Sequence, residues 1–178
     1  QKVCGTECAL ELTRLDAKRK AIKDAERMQK RQRASDRRRK EALKGKPELK
    51  REAQAAFNAY IRERDRYQPC ISCSMPADAS EALTGGYWDC GHYRSVGSMP
   101  TLRFEPLNSH KQCKRCNRQL SGNIVDYRIG LIERVGQEAV DWIEGPHPTE
   151  SLGVEDLRGI KDKYTKLVRE LKNQHRII

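Results

Sequence analysis

Hydrophobic residues recur every three or four positions along two long stretches of the chain. In residues 48–66 this spacing predicts a packed amphipathic helix, and Pro47 suits its first turn. In residues 157–171 it predicts a final helix whose apolar stripe either packs inside the molecule or forms a dimer seam. The apolar positions are Leu49, Ala53, Ala56, Phe57, Tyr60 and Ile61 in the first stretch, and Leu157, Ile160, Tyr164, Leu167, Val168 and Leu171 in the second.

Shorter patterns lie between these two helices. Apolar residues from Ile124 to Val135 predict a helix that ends near Gly136, and a short helix follows around Val140. Alternation around Asp89 predicts a strand over residues 87–90, and residues 101–104 are expected to be its partner. Residues 108–111 are then a loop, and residues 117–123 begin a helix that Gly122 stops. The pattern therefore predicts an α+β fold that is mostly helical.

Residues 9–44 contain neither Gly nor Pro and are rich in helix-forming residues, but they have few apolar positions. A helix that is polar on all sides is solvated or lies against a partner. The cluster Arg37, Arg38, Arg39 and Lys40 favours an arm laid along a nucleic-acid backbone. A solvated tail or a weak coiled coil is the alternative.

Charge supports a polyanionic partner. The chain carries a formal charge of +11, of which residues 1–46 hold +9. This uneven basic balance is typical of proteins that contact phosphates. The sequence has neither an apolar run long enough to span a membrane nor a signal-peptide pattern. We therefore expect a soluble protein in the cytoplasm, with no membrane partner.

Two Cys-x-x-Cys pairs, Cys70/Cys73 and Cys113/Cys116, have the spacing of a closed tetrahedral zinc site. The two pairs predict a structural zinc that staples a strand–strand–helix unit. Cys90 is expected to be a buried hydrophobic residue instead of a fifth ligand.

Four residues between or beside the cysteine pairs have the chemistry of phosphodiester hydrolysis. His92 titrates near neutral pH and can act as a general base. Asp89 and the amide oxygen of Asn117 are ligands that a hard catalytic ion, Mg²⁺ or Mn²⁺, prefers. Asn108 is expected to hydrogen-bond loop backbone and so hold His92 in position. His110 is either a supporting residue or a surface residue, and Asn117 also suits a helix N-cap.

These motifs resemble an HNH-type (ββα-metal, treble-clef-like) nuclease motif, in which Asp-x-Gly-His is followed by Asn and then by Cys-x-x-Cys-Asn. In many such nucleases an acidic residue directly precedes the histidine, a place that Gly91 takes here. The segments FNAYIRERDR, PCISC, WDCGHYRS, HKQCKRCN and GQEAVD resemble more narrowly the phage NinG/Rap recombination protein family. That resemblance covers most of residues 47–145.

The resemblance implies a structure-selective endonuclease that cuts Holliday junctions and related branched DNA, such as D-loops, during phage recombination in the host cytoplasm. The HNH resemblance implies products with 5′-phosphate and 3′-hydroxyl ends. The family further implies that Cys4 and Cys8 are the second half of a small zinc finger. Symmetric cutting of a four-way junction is easiest for a two-fold symmetric enzyme, so we expect a homodimer.

The sequence thus predicts three parts: a basic arm with the zinc-finger remnant (1–46), a helix with the nuclease core (47–123) and a helical region (124–178). Two alternatives stay open, a non-catalytic zinc module that binds branched DNA and a nuclease of ordinary duplex DNA. Besides the basic arm, the cations near the site in sequence are expected to contact the DNA backbone. They are Arg94, Arg103, Lys111, Lys114, Arg115 and Arg118.

Overall fold

The computed structural model describes residues 4–78, 86–149 and 151–176. The chain divides into two compact units, residues 1–44 and residues 45–178. The first unit contains a single described helix, α1 (Thr6–Ala42), of 37 residues. None of its residues is buried, and Leu15, Ile22 and Met28 are exposed. The sparse apolar stripe of this helix is therefore too thin to form a core by itself.

The second unit is built on a parallel pair of helices, α2 (Lys46–Arg64) and α5 (Val154–Gln174). Leu49 lies with Leu157 in one cluster, and further along the pair the rings of Phe57 and Tyr164 meet edge to face at 4.9 Å. Both predicted amphipathic helices are therefore present. The stripe of α5 packs inside the molecule, which is the first of its two predicted alternatives.

A second cluster covers the other side of the unit. It is formed by α3 (Ile124–Val135) and α4 (Gln137–Glu144), which separate at Gly136 as predicted. Tyr127, Leu131 and Val140 are completely buried there, together with Ile71 from the segment that follows α2. Close contact between α3 and that segment requires Gly130, since a Cβ at this position would overlap the carbonyl oxygen of Ile71.

Between these clusters lies a two-stranded antiparallel hairpin of β1 (Trp88–His92) and β2 (Ser109–Cys113). Asp89 faces Gln112 across the ladder, and Gly91 faces His110. The α+β class, mostly helical with this one small sheet in the described part of the chain, is confirmed.

The predicted partner strand was wrong. Residues 101–104 lie in a 3₁₀-helix, Pro100–Phe104, and a second one, Pro106–Asn108, leads into β2. Each begins with a proline, whose fixed φ suits a first helical position. The loop predicted over residues 108–111 was wrong for a different reason. All five residues of β2 are buried although four of them are polar, so hydropathy gives no sign of a strand.

The helix predicted over residues 117–123 is also shorter than expected. A single π-type turn spans Arg115–Gln119, and Asn117 lies inside it, so Asn117 is not an N-cap. Ser121, Gly122 and Asn123 then adopt positive φ angles of 48°, 89° and 44°. Three consecutive residues with this geometry end the helix and redirect the chain into α3. In the described part of the chain, no helix combines the length and apolarity that crossing a bilayer requires.

Two helix glycines form a matched pair for testing this packing. We expect Gly130→Ala to destabilise the protein by about 1–3 kcal/mol, because the added methyl group overlaps Ile71. Gly159→Ala in α5 is the control. Within the described residues a Cβ there meets nothing within 4 Å, so better helix propensity should stabilise the fold by about 0.5–1 kcal/mol. Urea unfolding of both variants measures the difference. Equal effects of the two substitutions would contradict the close α3 contact.

Candidate metal centre and active site

The sulfur atoms of Cys70, Cys73, Cys113 and Cys116 all lie within 4.8 Å of one another. The Sγ atoms of Cys73 and Cys113 are 3.8 Å apart. A tetrahedral zinc with bonds of about 2.3 Å requires sulfur–sulfur separations of about 3.8 Å, so this cluster has the size and the donor set of a structural zinc site. The knuckle after α2 is thereby brought against the end of β2 and the turn that follows it.

Backbone and side-chain amides orient these sulfurs. The N–H of Cys113 points at the Sγ of Cys70 at 3.4 Å, and the side-chain amide of Asn123 points at the Sγ of Cys116 at 3.6 Å. Burial is the largest influence on the Cys113 thiol and raises its pKa to about 11, with the neighbouring Cys70 adding to the effect. The Cys113 thiol is therefore costly to ionise until a cation balances the thiolate.

The loop between the strands is fixed by Asn108, which is completely buried. Its Nδ2 donates to the carbonyls of Arg94 and Leu102 at 3.0 and 3.1 Å, and its Oδ1 accepts from the N–H of Arg94 at 2.8 Å. These are the loop-backbone hydrogen bonds that the sequence predicted. Since the tied segment begins directly after His92 and Tyr93, Asn108 fixes the path of the chain that leaves His92.

His92 ends β1 and is partly buried, with its ring centroid 6.0 Å from that of Phe57. The Nε2 atom lies 3.0 Å from the carbonyl oxygen of Arg103. Because a carbonyl only accepts, Nε2 carries the hydrogen and Nδ1 keeps its lone pair in the neutral ring. Burial lowers the pKa of His92 below its ordinary value, which favours this neutral form at pH 7.

Asp89 and Asn117, the predicted ligands of a catalytic ion, are in contact. The Nδ2 atom of Asn117 donates to Oδ2 of Asp89 at 3.0 Å. The guanidinium of Arg118 binds both carboxylate oxygens at 2.6 and 2.9 Å. Burial alone would raise the pKa of Asp89, but the hydrogen bonds from Arg118 and Asn117 outweigh it and lower the pKa. The carboxylate is therefore ionised at neutral pH, with Arg118 as its counterion.

Close packing at Gly91 limits which residue can stand directly before His92. A Cβ at residue 91 would lie 3.0 Å from the Cβ and Cδ atoms of Gln112 and still closer to its Oε1. No side chain fits at this position unless Gln112 moves. Since side chains alternate along a strand, Asp89 is the preceding residue on the same face.

The same alternation separates the two halves of the predicted site. Asp89 faces Asn117 and Arg118, whereas His92 lies on the opposite face with Cys90, against Phe57 of α2. The described sheet has two strands, so no described strand pairs with the outer edge of β1, where the two faces meet. A phosphate group that contacts both His92 and the Asp89–Asn117 pair has to lie at this edge or at the His92 end of the strand.

Burial changes the assignment of several polar residues. Lys111, predicted to contact DNA, is only 2% exposed, and its ammonium group binds the carbonyl of Arg66 at 2.8 Å and lies over the Trp88 ring. That prediction was wrong, because the buried strand β2 carries Lys111 into the interior. His110 is also buried and not a surface residue, and burial lowers its pKa to about 3. Its Nδ1 lies 3.5 Å from the hydroxyl of Tyr127, which donates to the carbonyl of Gly91.

The remaining cations predicted to bind DNA are more accessible. Arg115 and Arg118 are exposed, and Arg94, Arg103 and Lys114 are partly buried. Arg103 donates to the side chain of Gln54 at 3.1 Å. Arg37, Arg38 and Arg39 on α1 are exposed, as is Lys40, and Arg39 pairs with Asp36 at 3.3 Å.

A partly buried clamp at the end of α2 was missed by the sequence analysis. Arg64 forks onto Asp65 at 2.6 and 2.8 Å and also donates to the carbonyls of Pro106 and Ser109. Asp65 in turn accepts the N–H of Lys111 at 3.0 Å. An Arg-Asp pair just beyond a packed helix was the available signal. The pair ties α2 to β2 and so supports both the hairpin and the cysteine cluster.

In the first unit, the Sγ atoms of Cys4 and Cys8 lie 2.8 Å apart and are exposed. The hydrogen bond with Cys4 is the largest cause of a raised pKa for the Cys8 thiol. No third His, Cys, Asp or Glu joins them in a metal-sized group among the described residues. Their role in a zinc finger stays a prediction.

Together, the fold and the site define an α+β protein in which a four-cysteine cluster, able to hold a metal ion, joins the segment after α2 to a two-stranded hairpin. A family model described as "Bacteriophage Lambda NinG protein" matches residues 1–174, so the chain belongs to the NinG family. The protein ninG of Escherichia phage 933W is 50% identical over 135 residues, which cover 76% of this chain and 64% of that relative. Those of Escherichia phage lambda and Salmonella phage P22 are 47% and 46% identical, over 76% of this chain and 63% of each relative.

The aligned part thus spans less than two thirds of these curated relatives. No solved structure matches the chain.

The cysteine cluster is expected to hold about one zinc ion per chain. Cys113→Ser should lower the zinc content by about that amount and destabilise the fold, because binding to a closed structural site is coupled to folding. Cys90→Ser is the matched control, since Cys90 is buried nearby but lies outside the cluster. Elemental analysis of the purified full chains measures the zinc content. Equal zinc in the two variants would contradict the assignment.

Proposed function

We propose that this protein is a metal-dependent endonuclease that cuts branched DNA, including four-way junctions and D-loops, in phage recombination. One observation carries the proposal. The cysteine cluster, the hairpin and the Asn108 bonds bring a neutral histidine and an oxygen-ligand pair, Asp89 and Asn117, onto one five-residue strand and the turn beside it. A general base and ligands for a hard cation are the parts that phosphodiester hydrolysis requires.

His92 is suited to the role of base. With the hydrogen on Nε2 directed at Arg103, the Nδ1 lone pair can take a proton from water. Burial lowers the pKa of His92, so the ring does not need to lose a proton at pH 7 before it acts. Asn108 keeps the following loop in place, and this limits how far the ring can drift from its position.

Asp89 and Asn117 would hold the catalytic ion, Mg²⁺ or Mn²⁺. When bound, such an ion supplies charge neutralisation at the phosphate and at the leaving oxygen. Two side chains have to rearrange first. Arg118 must release the carboxylate, and the amide of Asn117, which presents nitrogen to Asp89, must turn to present oxygen. Arg118 is 62% exposed. Its guanidinium can form the same pair of hydrogen bonds with a DNA phosphate that it forms with the carboxylate of Asp89.

A DNA substrate agrees with the distribution of charge. The exposed cations of α1 and of the turn after β2 supply backbone contacts that do not depend on sequence. Branched DNA as the substrate, and a homodimer as the active form, are the parts of the proposal that rest on family resemblance and symmetry.

One observation favours a second function, a non-catalytic module that binds branched DNA. The carboxylate of Asp89 and the Nε2 atom of His92 both have satisfied partners inside the protein, and they lie on opposite faces of β1. A protein that only holds DNA would keep these bonds unchanged when DNA binds.

Cleavage assays with a synthetic four-way junction and a matched linear duplex distinguish these functions. We expect Mg²⁺-dependent cutting of the junction in preference to the duplex. His92→Ala should slow cutting by roughly 10²–10⁴-fold, the usual contribution of a general base. His147→Ala is the control, since the ring of His147 meets that of Trp142 edge to face and is not part of either hairpin strand. Junction binding without cutting by the unaltered protein would support the non-catalytic module, and equal cutting of both substrates would support a duplex nuclease.

The pH dependence tests the role of His92 separately. A base acts in its unprotonated form, so the rate should fall as pH drops through the pKa of His92. Because burial lowers this pKa, the midpoint of the fall is expected below the ordinary value of about 6.5. Single-turnover cleavage rates between about pH 5 and pH 8 measure it, with junction binding followed in parallel. A midpoint above the ordinary histidine value would contradict a buried, neutral base.

A further inference from the structure

An open groove of about 500 Å³ lies where α5 and the end of α2 meet, apart from the hairpin residues discussed above. Arg66 lies on one side, two residues beyond α2, and Arg169, Lys172 and Arg176 come from the α5 side. Arg169 and Lys172 are three residues apart on one face of α5, and Arg176 lies in the turn two residues beyond the end of that helix. No carboxylate lines the groove among the described residues, so its lining is strongly basic.

The cations of the groove are largely available to a ligand. In the part of the chain that the structure describes, Arg169, Lys172 and Arg176 are exposed and have no ion-pair partner within 4.0 Å. Arg66 has a partner in Glu63 at 3.2 Å, but its side chain is 55% exposed. Glu63 is 12% exposed and is also bound by His175 at 2.8 Å. The one acidic neighbour bonded to the groove is thus already paired and turned away from solvent.

Two further features point to nucleic acid as the occupant. Tyr67, which is 63% exposed, stands beside the groove, with its ring 5.1 Å from that of His175 and 5.9 Å from the guanidinium of Arg66. An exposed aromatic ring beside a basic groove is a common arrangement for binding nucleic acid. Arg66 is also linked to the hairpin, because its carbonyl binds the ammonium group of Lys111, which covers the ring of Trp88 next to Asp89.

We propose that this groove is a second DNA-binding surface, which holds the phosphate backbone of a DNA segment beyond the one at the hairpin. The inference rests on the proposed function, since it assumes a DNA substrate. It adds a contact site on the α2–α5 pair through which a second arm of a branched molecule can be recognised. An enzyme that touches two arms at once can distinguish a junction from a simple duplex by avidity.

The test compares two double substitutions on α5 that remove the same charge. Arg169→Gln/Lys172→Gln alters the groove, whereas Lys163→Gln/Lys166→Gln alters exposed positions that do not line it. Binding of the full chain to a labelled four-way junction and to a linear duplex is measured by fluorescence anisotropy over a range of salt concentrations. Ca²⁺ replaces Mg²⁺, so that the junction stays intact and the zinc is not chelated.

The salt slope is the slope of the logarithm of the binding constant against the logarithm of the salt concentration. We expect the magnitude of this slope to fall by about 0.9 for each phosphate contact removed, hence by about 1.8 in the groove variant. Junction affinity should fall about tenfold. Duplex affinity should fall less, because a linear duplex has no second arm to occupy the groove. The control variant should match the unaltered protein. Arg169→Lys/Lys172→Arg, which keeps both charges, should retain the salt slope. If the double groove variant does not fold, Lys172→Gln alone should lose about half of this slope change.

Other outcomes overturn the inference. If these cations only offset the dipole at the end of α5, the groove variant will melt earlier but bind DNA with an unchanged slope. If the groove variant loses binding to anionic phospholipid vesicles and keeps its junction affinity, the occupant is a lipid surface. If the groove and control variants bind DNA equally, the groove is not a DNA-binding surface. The proposed nuclease function is unaffected by that result. If the unaltered protein binds neither the junction nor the duplex, both the DNA-binding groove and the proposed nuclease function are contradicted.

Discussion

The four-cysteine cluster is the constraint on which the rest of the site depends. It joins the knuckle after α2 to the end of β2 and the turn beyond it, although 39 residues separate Cys73 from Cys113 in the chain. A two-stranded hairpin is at best marginally stable by itself. A metal ion in the cysteine cluster would, together with the Arg64–Asp65 clamp on β2, hold the hairpin in place between the two helical layers.

This platform is polar inside, which is unusual for a buried strand. Ser109, His110, Lys111 and Gln112 are all buried. The Nζ of Lys111 and the Nε2 of Gln112 have protein partners, whereas the Oε1 of Gln112 has no hydrogen-bond partner among the described residues. Buried polar groups without partners are costly, so such a strand is stable only within a fully assembled network. The arrangement orders the chain around Asp89 and His92 without a large hydrophobic core, in agreement with the low aromatic content of 6%.

The structure also separates two kinds of basic residue that look alike in the sequence. Arg64 and Lys111 are structural, because their charged groups bind carbonyls inside the protein. Arg115, Arg169 and Lys172 are exposed, and such residues carry the proposed contacts with DNA. The usual assumption that lysine and arginine lie at the surface holds for most of this chain and fails where a buried strand or a buried carboxylate draws them inward.

The sequence alone determined the helices α2, α3 and α5 and the cysteine cluster, because each depends on local periodicity or fixed spacing. It also predicted the loop-backbone hydrogen bonds of Asn108. Only the tertiary structure decided that residues 109–113, and not residues 101–104, pair with β1. It alone revealed the groove beside Arg66. These features arise from contacts between residues far apart in the chain, which neither hydropathy nor local spacing records.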